Sequence, residues 1–238
     1  MASDLLGYKI YSKSMDHLIH EVMVSENKTH IISGNPEVLT SGLKEEELFN
    51  NFTDKNSIII PDGIGIVISA RLTKVPVEGK IPGIEVLDKI LREFETKNKS
   101  VYLLGATEDT VTKAVAKLKK KYPTLIVAGY HNGFFDLNNC NDIIENIKAS
   151  NAEAIFVAMG APRQERFIIK YMDILPCKIF MGVGGSFDII AGNLKRAPKW
   201  MISLGLEWLY RVSKEPFRIK RLGVIPKFII KAVISNRK

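Results

Sequence analysis

A carboxylate fixed at the end of a strand can take a proton from an incoming hydroxyl, and Asp62 in Pro61-Asp62-Gly63 is placed for that work. Pro-Asp-Gly is equally good chemistry for a plain β-turn, and the two roles are compatible. A second cluster is Gly182-Val183-Gly184-Gly185-Ser186-Phe187-Asp188. Glycines let the backbone approach a ligand, and N–H groups opening a helix favour phosphate, so Gly184 and Gly185 predict a phosphate or sugar cradle. A tight turn without a ligand is the alternative. The run is neither G-x-G-x-x-G nor a Walker A loop, which weakens dinucleotide and ATP readings. Gln164 and Glu165, following Gly160, either cap a helix or bind ligand hydroxyls. Asn35 before Pro36 is a helix-start signal or, with the Ser33 hydroxyl, a holder of sugar hydroxyls.

Other chemistries lack their residues. There is no Asp-x-Asp pair to clamp a metal–diphosphate, no H-E-x-x-H and no G-x-S-x-G elbow. His17, His20, His30 and His131 show no metal-ligand spacing, so neither a metal nor a cofactor is expected. Cys140 and Cys177 cannot build a disulfide framework or a four-thiolate zinc site, which makes a reducing cytosol the default. A metal-free site facing a departing diphosphate would need cationic side chains.

The end of the chain supplies them. The net charge is +8, yet residues 191–238 alone carry twelve lysines and arginines against Glu207 and Glu215, so the excess positive charge lies entirely there. Trp200, Trp208, Tyr210, Phe228 and several aliphatic residues interleave with the basic ones. Such basic, amphipathic segments suit an anionic membrane surface. A core-packing helix or a homo-oligomer interface is the alternative for the apolar stripe, and the apolar content argues against nucleic acid. The N-terminus has no secretory h-region, and no run of about 18 apolar residues exists.

Six apolar, β-branched runs position these residues: 29–33, 57–60, 101–105, 125–129, 154–160 and 178–182. They lack polar alternation, as strands buried on both faces do. Amphipathic helices fall between them, for example over 108–121 and 141–148. That alternation predicts an α/β fold, a Rossmann-like open and mostly parallel sheet flanked by helices. Ligands then bind beyond the carboxyl ends of the strands, where the residues above fall. A core over 1–193 and a basic amphipathic appendage over 194–238 complete the expected organisation.

The runs NPEVL (35–39), PDGIGIV (61–67), VYLLGAT (101–107), GAPRQE (160–165), GVGGSFDIIAG (182–192), RAPKWM (196–201), GLEWLYR (205–211) and EPFRIKR (215–221) occur in this order. Together they resemble the WecG/TagA/CpsF glycosyltransferases, glycosyltransferase family 26, whose fold is termed GT-E. The resemblance implies an inverting, metal-independent transfer from a UDP-sugar donor to a polyprenyl-diphosphate-linked sugar acceptor. In the TagA branch these are UDP-N-acetylmannosamine and undecaprenyl-diphosphate-linked N-acetylglucosamine, at the start of wall teichoic acid linkage-unit synthesis. It makes Asp62 the base for the acceptor's 4-hydroxyl, and Asn35 and Ser33 contacts to the donor sugar. Gln164, Gly184, Gly185 and Asp188 would line the nucleotide-sugar pocket, and Arg211, Arg218 and Arg221 would reach the diphosphate. Lys80, in EGKIPG, stands where the family commonly has Arg; it keeps the charge without the bidentate fork. The implied location is the cytoplasm, peripheral on the inner face of the membrane. A capsule or exopolysaccharide transferase using another UDP-hexose, or a non-catalytic module binding a nucleotide-sugar or anionic lipid, are the alternatives.

Overall fold

Isoleucine- and valine-rich strands alternate with amphipathic helices, and parallel pairing of the strands leaves the helices to cover both faces. The computed structural model describes residues 4–203, 206–214 and 223–236. In chain order the elements are α1 (Met15–Val24), β1 (Thr29–Gly34), α2 (Pro36–Gly42), α3 (Glu46–Phe52), β2 (Ser57–Pro61), α4 (Ile64–Thr73), α5 (Gly83–Thr96), β3 (Ser100–Gly105) and α6 (Glu108–Lys121). There follow β4 (Ile126–His131), α7 (Asn141–Ser150), β5 (Ala154–Ala158), α8 (Arg163–Tyr171), β6 (Ile179–Gly182), α9 (Ser186–Ala191), α10 (Lys199–Ser203), α11 (Glu207–Lys214) and α12 (Val224–Ser235).

The six strands form one sheet in the order β2-β1-β6-β5-β3-β4, every pair parallel. Alternate residues on each strand feed opposite cores. Ile31, Ile60, Leu103, Phe156 and Met181 pack with the apolar sides of α5, α6 and α9. Ile155, Val157 and Phe180 meet α7 and α8 on the other face, where Ile32 and Ile59 meet α2, α3 and α4. Each large side chain so enclosed contributes about 1.5–3 kcal/mol by leaving water.

The expectation of strands buried on both faces fails for β4. It is an edge strand with no position fully buried, because only β3 flanks it. The opposite edge is covered: Tyr11 N–H donates to the Ile59 carbonyl (2.8 Å), closing part of β2.

The connections decide where a ligand fits. From β1 the chain turns into α2 on one face, and from the neighbouring β6 it turns into α9 on the other. β3 and β5 diverge likewise into α6 and α8. Loops that part in this way leave a crevice at the carboxyl ends of the strands. Between α4 and α5 the chain crosses from one face to the other, and Ile81 N–H donates to the Pro61 carbonyl (2.9 Å) on the way.

Within the expected appendage, α12 is joined to the body. Phe228 and Ala232 are buried in the cluster formed with α2 and α4, and the Asn236 side-chain amide donates to the Thr73 carbonyl (3.0 Å). Among the described residues, no helix is long and apolar enough to cross a membrane.

Candidate active site

Asp62 follows β2 directly and is half-buried, its N–H donating to the carbonyls of Gly34 (3.0 Å) and Ile60 (2.8 Å). The first residue of α5, Gly83, presses against it. A Cβ at Gly83 would stand 2.6 Å from Ser33 Oγ and 3.1 Å from Asp62 Oδ2, so glycine lets α5 come this close with both side chains in their present positions. The Ser33 hydroxyl in turn donates to the Gly182 carbonyl (3.4 Å). Ends of β1, β2 and β6 and the start of α5 are thus gathered around one carboxylate. Residue type alone does not single out Gly83; its signal is the EGKIPG run, in which Lys80 is the more conspicuous residue.

Asn35 is the N-cap of α2. Its Oδ1 accepts from Glu37 N–H and Val38 N–H, both at 3.0 Å, and its Nδ2 donates to the Ser33 carbonyl (3.2 Å). The helix-start role is therefore occupied, and one Nδ2 hydrogen is left over by these bonds. Gln164 is more deeply engaged. Its Oε1 accepts from Gly160 N–H (3.2 Å) and Gly184 N–H (3.0 Å), while its Nε2 donates to Glu165 Oε1 (2.8 Å). One buried amide thereby ties the loop after β5 to the loop after β6, each bond worth about 1 kcal/mol net.

Glu165 is 1% exposed, and its Oε2 has no hydrogen-bond partner. Burial pushes its carboxyl above the usual range, opposed by the Gln164 bond. Gly160 and Gly184 have φ of +75° and +50° and open space where a Cβ would point, so their glycines serve the left-handed backbone. Gly185 borders the same open side, and the Asp188 carboxylate stands beside it.

Further along the rim, a cleft of about 550 Å³ opens over the ends of β3, β4 and β5. Ala106, Gly133, Phe134, Phe135, Met159 and Arg163 line it, and Phe134 is 76% exposed. Its floor is backbone: Ala106 N–H donates to the Ala158 carbonyl (2.8 Å) and Gly133 N–H to the Ala106 carbonyl (2.9 Å). Arg163 Nη2 donates to the carbonyls of Gly133 and Phe135, with its guanidinium over the Phe135 ring. The apolar run in the sequence ends at Gly129; β4 continues to His131, which moves the loop after this strand to 132–135.

Lys80 is paired with the tail. Its Nζ lies 2.9 Å from Glu207 Oε2, and Arg196 Nη2 holds Glu85 Oε1 with its Nε 3.9 Å from Glu207 Oε1. Of the tail arginines, Arg211 lies on α11 but its side chain is outside the described residues, as are Arg218 and Arg221 entirely. Among the described residues, no group of three or more His, Cys, Asp or Glu gathers as a metal cage would.

A parallel α/β sheet with a carboxylate, hydroxyl and amide groups and open glycine turns at its strand ends is a frame on which enzymes bind polar small molecules. Comparison with known proteins makes this particular. The sequence profile described as "Glycosyl transferase WecG/TagA/CpsF family" matches residues 3–238, and the chain belongs to that family of glycosyltransferases. A Bacillus subtilis (strain 168) protein named N-acetylglucosaminyldiphosphoundecaprenol N-acetyl-beta-D-mannosaminyltransferase is 38% identical over 204 residues, covering 86% of this chain and 78% of its own. Relatives of the same name are 32% identical in Bacillus spizizenii (94% and 86% covered) and 33% identical in Staphylococcus aureus strain MW2 (99% and 93% covered).

Proposed function

We propose that the protein transfers N-acetylmannosamine from UDP-N-acetylmannosamine to undecaprenyl-diphosphate-linked N-acetylglucosamine, with inversion at C1 and without a metal ion. The observation that carries this reading is the Asp62 carboxylate at the end of β2, pressed by Gly83 and flanked by Ser33, with the open Gly184-Gly185 turn following the neighbouring strand β6. The sugar and the acceptor are those in the names of the Bacillus and Staphylococcus relatives.

The donor lies across the strand ends. Its uracil faces the apolar cleft at Phe134 and Met159, and its diphosphate and sugar face Gly184, Gly185, Asp188, Ser33, Asn35 and the Gln164-bound loops. Asp62 takes the proton from the acceptor's 4-hydroxyl as that oxygen bonds to C1, and the C1–O bond to UDP breaks on the opposite side. Arg211, Arg218 and Arg221 neutralise the departing diphosphate, with Lys80 at the edge of the site. The acceptor sits in a bilayer, so the protein works at the anionic inner face of the membrane, where exposed Lys227, Ile230, Lys231 and Ile234 of α12 form a mixed cationic and apolar patch. Association between copies is a competing use of that patch.

The test is UDP release with a panel of UDP-sugars and a short-chain polyprenyl-diphosphate acceptor, with and without EDTA. UDP-N-acetylmannosamine is expected to support turnover that EDTA leaves intact. Asp62→Asn is expected to lose roughly 10²–10⁴-fold in kcat while UDP-sugar affinity stays near wild type. Near-normal turnover in that variant removes Asp62 from the role.

A further inference from the structure

We propose that Glu207 is the positioning residue that seats the cationic tail on the catalytic body, with Lys80 of the body as its socket and Arg196, a tail residue itself anchored to Glu85, beside it. The inference rests on the transferase reading for its activity readout alone. Residues 191–238 carry twelve cations and two carboxylates, so seating this segment directly beside the Lys80 ammonium sets like charges together unless a carboxylate stands between them. Glu207 provides it. It lies in the first turn of α11, where a carboxylate also complements the helix dipole. Its two oxygens face two different cations, Lys80 at 2.9 Å and Arg196 Nε at 3.9 Å. The Lys80 and Glu207 side chains are only 20% and 11% exposed, so the pair is shielded and removing the Glu207 carboxylate leaves the Lys80 ammonium part-buried without it.

The seat is next to the chemistry. Lys80 precedes Ile81, whose N–H is bonded to Pro61 beside Asp62, and Gly83 touches both Asp62 and Ser33. Arg211 follows Glu207 by four residues on α11, one helical turn on. Fixing Glu207 against Lys80 therefore sets where the arginine-bearing part of the tail begins relative to the base. Arg196 is held at the same time by Glu85 of α5, so the socket joins α5 and α11. Lys80 serves here as a docking cation for the protein's own helix.

Charge reversal tests this in the full-length chain, with amide hydrogen exchange over 206–214 as a readout that needs no catalysis. Glu207→Lys is expected to raise exchange in α11 by about tenfold or more and to lower kcat/KM on the lipid-linked acceptor by a similar factor. Glu207→Gln should do the same more weakly. Joining Lys80→Glu to Glu207→Lys is expected to return α11 protection part of the way to wild type, since the exchanged charges pair again while the new cation still faces Arg196. Recovered protection without recovered turnover still supports the seat, and assigns the remaining loss to Lys80 itself. Unchanged protection in Glu207→Lys, or a double variant no better protected than the single one, overturns the proposal. A wild-type protein inactive with every donor sinks the transferase reading and leaves the exchange result standing.

Discussion

Around β1, β2 and β6 the rim of the sheet is locked, with an amide reaching in from the loop after β5, whereas around β3 and β4 it opens into an apolar cleft. In the first region side chains are tied to backbone: Gln164 grips Gly160 and Gly184, Asn35 caps α2, and Gly83 closes on Ser33 and Asp62. In the second, backbone bonds make a floor, Arg163 holds the Gly133 and Phe135 carbonyls on one side, and the remaining walls are Ala106, Met159 and the exposed Phe134. A proton transfer needs its atoms held to a fraction of an ångström, while a flat heterocycle needs only a face to lie on. The two halves of the proposed donor site follow that division, reaction on the locked side and recognition on the open side.

Substitutions that leave the polar groups in place sharpen this contrast. After loss of the Asp62 carboxylate itself, the largest effect is expected from Gly83→Ala. The added methyl would fall 2.6 Å from Ser33 Oγ and 3.1 Å from Asp62 Oδ2, so the Ser33 hydroxyl, the carboxylate or α5 must move. A shift near 1 Å is enough for roughly a hundredfold loss in kcat, with KM for the donor little changed. Steady-state kinetics at saturating acceptor reads this directly, and an unaltered kcat would show that the close approach does not hold the base. Across the sheet, Phe134→Ala is expected to raise donor KM about tenfold through lost stacking and to leave kcat near wild type. A fall in kcat instead would place Phe134 in the reaction half and dissolve the division.

Much of this architecture is legible in the sequence because burial dictates it. The six runs from Thr29 to Gly182 lie within one or two residues of observed strands, since parallel strands enclosed on both faces must be continuously apolar; β4 departs from that pattern because it lies at the edge. The family's motifs point to Asp62, Ser33 and Gln164, and the structure brings Asp62 and Ser33 together around Gly83. What the residue types cannot reveal is who holds whom. Gln164 reads by type as a helix cap or a ligand contact, yet its oxygen is taken by two backbone N–H groups, from the loop after β5 and the loop after β6. The Lys80–Glu207 pair joins positions 127 residues apart, a distance no local pattern reports.

The smallest expected effect concerns how the locked half stays locked. Glu165 fixes the orientation of the Gln164 amide by accepting from its Nε2, and burial raises the Glu165 carboxyl above 4.5. A raised folded-state pKa means that this group's contribution to stability is complete below about 4.5 and is lost as pH rises through the folded value. Between those two limits the loss runs at no more than about 1.4 kcal/mol for each pH unit. Glutamine keeps the accepting oxygen and cannot ionise, so Glu165→Gln should remove that part of the pH dependence. Urea unfolding between acidic and neutral pH is expected to show the variant gaining on wild type as pH rises, the gap levelling once the native carboxyl has ionised. Parallel stability curves would mean that the carboxylate is as well accommodated in the fold as in water. The clamp on the two loops would then rest on Gln164 alone, and the reaction half would be less dependent on its buried acid than the unpartnered Oε2 implies.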